Sequence, residues 1–234
     1  MGPVDAGETL TAREPSPRGR SLVLMGEEQV SRIPVQECGE PMVDLAGVPG
    51  IAIDNRLADA KGRHRLARSG VASRLADAAA TLPSGLQLLV VEAYRPVEMQ
   101  QRYFDAHLDE LRLVYDGLPE QELFLLASRF VAPPVGVPPH CSGAAVDLTL
   151  SAEGGSELEM GTGINEGPEQ SGGRCFSDSK DISKECGENR EVLFQALTAQ
   201  GLVNYPTEWW HWSFGDRYWA LKTGAQAAVY GLIT

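Results

Sequence analysis

Apolar positions recur at helical spacing over residues 71–82. Val71, Leu75, Ala78, Ala79 and Leu82 share a face there, and Pro83 and Gly85 end the run. The next segment, 86–93, is apolar and β-branched throughout (Leu-Gln-Leu-Leu-Val-Val-Glu-Ala) and predicts a buried strand. Tyr94-Arg95-Pro96 follows at that strand's end, with Pro96 suited to the first turn of a helix. The stripe of that helix is Met99, Tyr103, Phe104, Leu108 and Leu111. A further helix is expected over 119–130 (Leu123, Leu126, Ala127, Phe130), stopped by Pro133 and Pro134. Residues 144–150 alternate. Val146, Leu148 and Leu150 face one way, while Ala145, Asp147 and Thr149 face the other. Asn189 is expected to cap a helix carrying Val192, Leu193, Ala196 and Leu197, closed by Gly201. The last strong segment is Trp209-Trp210-His211-Trp212-Ser213-Phe214. Read as a strand, it sets Trp209, His211 and Ser213 on one face and Trp210, Trp212 and Phe214 on the other.

Strands and helices in this order predict one α+β domain over 21–234. Residues 1–20 are polar, carry Pro3, Pro15 and Pro17, and read as a flexible leader without the apolar core of a signal peptide. Residues 151–187 are rich in Gly, Ser, Glu and Asp, a length and composition that mark a functional or mobile loop. The apolar share of 43% excludes a disordered or fibrous chain. The net charge of −12 comes with no basic stripe, which argues against nucleic acid and against an anionic lipid surface. The run Leu22-Val23-Leu24-Met25 is far too short to span a bilayer. Four cysteines stand at 38, 141, 175 and 186 with no C-x-x-C pair, so zinc-ribbon and thioredoxin readings fail. Reduced thiols in a cytoplasmic protein are the expectation, with a Cys175–Cys186 bridge as the competing one.

There are four histidines. His64 lies between arginines and His107 among acids, so both read as solvated surface. His140 opens the run His-Cys-Ser-Gly-Ala-Ala-Val-Asp, whose small residues permit a tight turn into a strand. Asp147 is then a carboxylate on an otherwise apolar strand, where it must be paired or bound to metal. His211 sits between tryptophans, three residues after Glu208. Two imidazoles and one carboxylate make a catalytic zinc set with a fourth position open to water, and Glu208 is then placed to take a proton. On spacing alone a competing reading stands beside this one. In it His140 is a loop histidine, Asp147 a paired core acid, and Glu208 and His211 a buried hydrogen-bonded pair. Arg95, at a strand end, is suited to an oxyanion or a carboxylate, or else to an ordinary salt bridge.

Four blocks carry a family resemblance: Glu92-Ala93-Tyr94-Arg95-Pro96; His140-x-x-Gly143-x-Ala145-x-Asp147-Leu148-Thr149-Leu150; Met160-Gly161-Thr162; and Asn204-Tyr205-Pro206-Thr207-Glu208-Trp209-Trp210-His211-Trp212. In this order and spacing the chain resembles the D-alanyl-D-alanine dipeptidases, the vancomycin-resistance-type zinc peptidases of the bacterial cell wall. The resemblance implies the fold of DD-carboxypeptidases and the Hedgehog signalling domain, a central antiparallel sheet flanked by helices with zinc in a cleft. It implies Zn2+ on His140, Asp147 and His211, with Glu208 as the base and Arg95 polarising the scissile carbonyl. It also sets Glu159 near the substrate amine.

The implied reaction is hydrolysis of D-alanyl-D-alanine, or a related small dipeptide, to free amino acids. Some positions depart from the family pattern. Pro138 stands where the family has serine, Gly163-Ile164-Asn165 replaces a Phe-Asp continuation, and the aromatic segment expected around residues 50–57 is poorly reproduced. These touch substrate recognition rather than metal. They keep open a D,D-carboxypeptidase or a biosynthetic amide-processing enzyme, and, in another class, a zinc-bearing binding module without catalysis.

Overall fold

The structure is a computed structural model that describes residues 22–233 except residue 129. The leader expected over 1–20 lies outside the described residues. In chain order the elements are α1 (Glu28–Ser31), β1 (Met42–Asp44), β2 (Ile51–Ile53), β3 (Leu66–Arg68), α2 (Ser69–Ala79), β4 (Leu86–Glu92), α3 (Val97–Val114) and α4 (Glu120–Ala127). These are followed by β5 (Ala145–Ala152), α5 (Pro168–Ser171), α6 (Lys184–Ala199), β6 (Val203–Asn204), β7 (His211–Ser213) and α7 (Arg217–Thr223). Five strands form the main sheet in the order β2-β4-β5-β7-β6, while β1 and β3 pair separately. The architecture is mixed α/β. The sheet is not wholly antiparallel: the edge strand β2 runs parallel to β4, because the chain returns to β4 through β3 and α2 rather than through a hairpin.

The main core lies on one face of this sheet. Leu88 and Val90 of β4 join Val146, Leu148 and Leu150 of β5 against Val71 and Leu75 of α2 and Leu193 and Leu197 of α6. Each such aliphatic side chain contributes roughly 1.5–3 kcal/mol on burial. The alternation read over residues 144–150 is therefore the observed one, and Asp147 points to the opposite face.

A bulge in β4 decides what joins Asp147 there. Val90 pairs with Leu148, but Glu92 pairs with Asp147, so the register shifts between them. Without the extra residue, Glu92 would share Val90's core face; the shift turns it to the side of Asp147. Across the next strand pair Asp147 lies opposite His211. Glu92, Asp147 and His211 thus form one row across the three central strands.

Helices α3 and α4 pack on each other through Phe104, Leu111, Leu123 and Ala127. Gln100, Tyr103, His107 and Leu111 of α3 line the cleft above this row. The segment 151–187 is more structured than its composition suggests. It contains α5, and Met160, Ser171 and Cys175 are buried. Helix α6 starts at Lys184, not at Asn189. Ser183 is its cap, its hydroxyl accepting from the Cys186 N–H at 3.1 Å, while Asn189 donates instead to the Glu159 carbonyl at 2.9 Å. The tryptophan segment is strand only over residues 211–213; Trp209 and Trp210 sit in the turn before it.

Candidate active site

His140 sits in a single 3-10 turn, His140–Ser142, between Pro139 and Gly143. Gly143 has φ +71°, and a Cβ there would lie 2.6 Å from the Met42 sulfur, so only glycine turns the chain into β5 at this point. The imidazole Nδ1 is 2.7 Å from the Ala93 carbonyl at the end of β4. A carbonyl can only accept, so Nδ1 carries the proton and Nε2 presents a lone pair.

His211 reaches the same point from β7. Its Nδ1 is 3.0 Å from Asp147 Oδ1 and 3.2 Å from His140 Nε2, and Asp147 Oδ2 is 3.3 Å from His140 Nε2. All three side chains are buried. Burial alone would raise the Asp147 carboxyl, but the flanking imidazoles outweigh it and hold the group far below the usual carboxylate range. Burial likewise disfavours His140's charge, and the Asp147 carboxylate reverses that, raising its pKa.

A tetrahedral ion with bonds of ~2.0–2.1 Å sets its ligand atoms roughly 3.3 Å apart. The 3.2 Å between the two imidazole nitrogens matches that spacing, Asp147 meets each imidazole through a different oxygen, and one donor atom from each of the three residues lies within 4.8 Å of the others. The Nδ1–H···O=C bond of His140 is the outer contact that metal-ligating histidines usually make. The residues therefore fit a divalent metal.

Glu208 lies in the turn between β6 and β7. Its backbone N–H donates to Tyr205 O at 2.9 Å, and its carbonyl accepts from the His211 N–H at 3.2 Å and from Asn204 Nδ2 at 3.0 Å. The neighbouring Trp209 is fully buried and donates its indole N–H to Thr162 Oγ1 at 2.8 Å. This bond ties the Met160-Gly161-Thr162 block to the turn. Glu208 Oε2 is 3.8 Å from His211 Nδ1. Burial pushes this carboxyl up to about 7, against the pull of the His211 imidazole, within the range of a working general base.

Arg95 is anchored rather than free. Its Nε donates to Glu92 Oε1 at 2.9 Å, Nη2 to Glu92 Oε2, and Nη1 to Gln100 Oε1 at 2.9 Å, with the Tyr103 ring 4.6 Å from the guanidinium carbon. Burial works against its charge, but the Glu92 carboxylate prevails and raises its pKa further. Of five N–H donors, three are used, leaving two for a ligand.

These groups share one cavity of about 510 Å³, whose wall includes Arg95, His140, Asp147, Glu208 and His211. Glu159 is not among its lining residues: its side chain is exposed, so the structure does not bring it to the other five. His64 and His107 both depart from the solvated-surface reading. His64 is 4% exposed despite its arginine neighbours. His107 lines the cavity, its ring edge on Phe130. Residue 107 lies between Phe104 and Leu111 at helical spacing, a signal that was present in the sequence. Tyr103, Tyr205 and Trp210 also line the cavity without having been singled out.

A row of carboxylates and imidazoles fit for a metal, with an anchored cation beside it, is equipment for cleaving a small amide, and the class it defines is the metal-dependent peptidases. The chain belongs to the Peptidase_M15 family, described as D-ala-D-ala dipeptidase, whose sequence model matches residues 51–226. It is 32% identical to the D-alanyl-D-alanine dipeptidase of Synechocystis sp. over 216 residues, covering 80% of this chain and 87% of that one. It is 30% identical to the D-alanyl-D-alanine dipeptidase of Escherichia coli over 150 residues, 64% of this chain and 61% of that one. A solved structure, VanYB in complex with D-Alanine-D-Alanine, aligns over 72% of this chain and 81% of its own with a TM-score of 0.42 and 20% identity, too loose to carry an argument.

Proposed function

We propose that this protein hydrolyses D-alanyl-D-alanine, or a closely related small dipeptide, to free amino acids, with Zn2+ held by His140 Nε2, Asp147 and His211 Nδ1. The observation that carries the reading is the meeting of those three donors with the Glu208 carboxylate on one cavity wall. Zinc held by these residues would supply Lewis acidity and make water a stronger nucleophile near neutral pH. Glu208 takes a proton from the attacking water as the new C–O bond forms. It returns that proton to the leaving amine as the C–N bond breaks, which regenerates the carboxylate. Arg95 directs its two remaining N–H groups at the oxygen where negative charge gathers. Glu92 and Gln100 fix the fork in place, so little reorganisation accompanies the reaction.

A purely binding module has no use for a base and an anchored arginine beside its metal. The arrangement of sheet, cleft helices and metal-competent row is consistent with the DD-peptidase and Hedgehog-type fold. Four unpaired thiols, three of them buried, suit a reducing, cytoplasmic compartment.

The test is release of free alanine by the zinc-loaded protein from D-Ala-D-Ala, L-Ala-L-Ala and a pentapeptide ending in D-Ala-D-Ala. The expected result is cleavage of the free D,D-dipeptide alone. Cleavage of the pentapeptide in preference would make the enzyme a carboxypeptidase, and no cleavage of any of the three would refute the reading.

A further inference from the structure

With His211 Nδ1 given to the metal, as proposed above, a neutral ring carries its proton on Nε2. That atom is buried and has no hydrogen-bond partner among the described residues. Two other buried polar atoms nearby share this condition, Asp216 Oδ2 and the Tyr218 hydroxyl. The residues that carry all three are at most 4% exposed.

Their placement is linked by several contacts. His211 and Ser213 are two apart in β7, so their side chains project from the same face, roughly 7 Å apart. Ser213 Oγ donates to Asp216 Oδ1 at 2.9 Å, which brings the Asp216 carboxylate to that face. The same Oδ1 accepts from the Trp219 N–H at 2.7 Å and caps α7. Oδ2 is thus left to do something else. Tyr218 reaches the cluster through Tyr205, whose ring packs edge-on against both Tyr218 (5.2 Å) and His211 (6.0 Å). A second cavity of about 240 Å³ reaches Asp216 and Tyr218 from the side of Pro138 and Pro139, the two residues that lead into His140's turn.

We propose that Asp216 is a positioning residue for the metal site: through one buried water, which the Tyr218 hydroxyl also holds, its Oδ2 accepts the Nε2–H of His211. Three polar partners are what a buried water typically has. The bond fixes the tautomer in which Nδ1 offers its lone pair, and the carboxylate makes that lone pair a stronger donor. Asp216 touches neither substrate nor metal, and acts only through His211. The inference rests on the metal reading above.

Asp216→Asn is the diagnostic variant. Its amide oxygen retains the Oδ1 contacts with Ser213 and Trp219, but its NH2 replaces the acceptor Oδ2. In the zinc-loaded protein, chelator competition should show zinc bound ~10–100-fold more weakly. The exchange-protected imidazole N–H resonance of His211 Nε2 should shift or vanish. Ser213→Ala, which removes one Oδ1 contact and spares Oδ2, should leave both unchanged. Unaltered zinc affinity and an unmoved resonance in Asp216→Asn would overturn the inference, as would an equal loss in Ser213→Ala, which would show that α7 packing alone is at stake. Should Asp216→Asn fail to fold, Tyr218→Phe carries the test, since an unmoved His211 resonance there also overturns the proposal. Failure of the unaltered protein to bind zinc would instead refute the metal reading itself.

Discussion

Replacing Arg190 with methionine should unfasten the turn that carries Glu208. Arg190 lies on α6, is 3% exposed, and spends its guanidinium on three backbone carbonyls: Met160 O at 2.7 Å, Arg174 O at 2.8 Å and Phe176 O at 2.9 Å. It also stands 5.3 Å from the Trp209 ring centroid. Two segments of the 151–187 region, at Met160 and at 174–176, therefore converge on one cation beside the tryptophan next to Glu208. A buried acceptor left without its donor costs ~1–3 kcal/mol, so three such carbonyls bracket the loss at ~3–9 kcal/mol. The lower half of that range applies, because burial already disfavours the charged guanidinium, pushing its pKa down to about 10. The expected destabilisation is about 3–5 kcal/mol, a large share of the ~5–15 kcal/mol that holds a typical domain. Urea unfolding followed by tryptophan fluorescence reads it directly. Hydrolysis should fall as well, by up to ~10²-fold, because displacement of the turn moves Glu208 relative to its target. Arg190→Lys should recover little, since an ammonium on a flexible stem does not reproduce the planar fork. A loss below ~1 kcal/mol in Arg190→Met, or a lysine variant as stable as the parent, would refute this reasoning.

Other consequences follow from the same structure. Glu208→Gln should keep its metal by elemental analysis yet lose ~10²–10⁴ in kcat, as expected for removal of a general base; near-normal turnover would contradict the assignment. Arg95→Met should lower kcat/KM by ~10²–10³ and destabilise the fold by ~3–5 kcal/mol, since Glu92 is left buried without its partner; Glu92→Gln in the same background should restore part of the stability but not the rate. Iodoacetamide on the native protein should yield a single adduct by mass spectrometry, at the exposed Cys38, because Cys141 is fully buried and burial pushes its thiol up to about 12. Glu40 is raised by burial, but donors from Tyr230, Gly70 and Ser69 prevail and set its folded pKa below the unfolded value of 4.5. Its stabilisation is therefore present above pH 4.5 and lost as pH falls through the lower folded value. Glu40→Gln should flatten the acid limb of a stability–pH curve, and an unchanged limb would exclude this group.

The parts of the fold that were legible in the sequence are those where one residue contradicts its surroundings. Asp147 announced itself as a carboxylate in an apolar strand, and Glu208 and His211 as polar residues among tryptophans. The bulge in β4 was invisible, because the Leu-Leu-Val-Val run shows no alternation from which a register slip can be read. That slip decides which way Glu92 points, and so why Arg95 is anchored. The start of α6 is hidden because its first turn, Lys-Glu-Cys-Gly-Glu, offers no apolar stripe, whereas Asn189 looks like a cap and instead bridges to the Glu159 carbonyl. The burial of His64 is masked by its arginine neighbours. In a three-residue 3-10 turn the middle side chain turns inward while those on either side remain more exposed. Short edge strands such as β2 hold too few residues to show any period, so the parallel pairing with β4 emerged only in three dimensions.

The central claim is that two imidazoles and an aspartate grip one divalent ion with a glutamate beside it. Equilibrium dialysis against zinc, followed by elemental analysis of the unaltered chain and of His140→Ala, Asp147→Asn, His211→Ala and Glu208→Ala, tests it most directly. The account predicts about one tightly held zinc per chain in the unaltered protein and in Glu208→Ala, and loss of tight binding in the other three. Undiminished zinc in any of those three, or none in the unaltered chain, would contradict it.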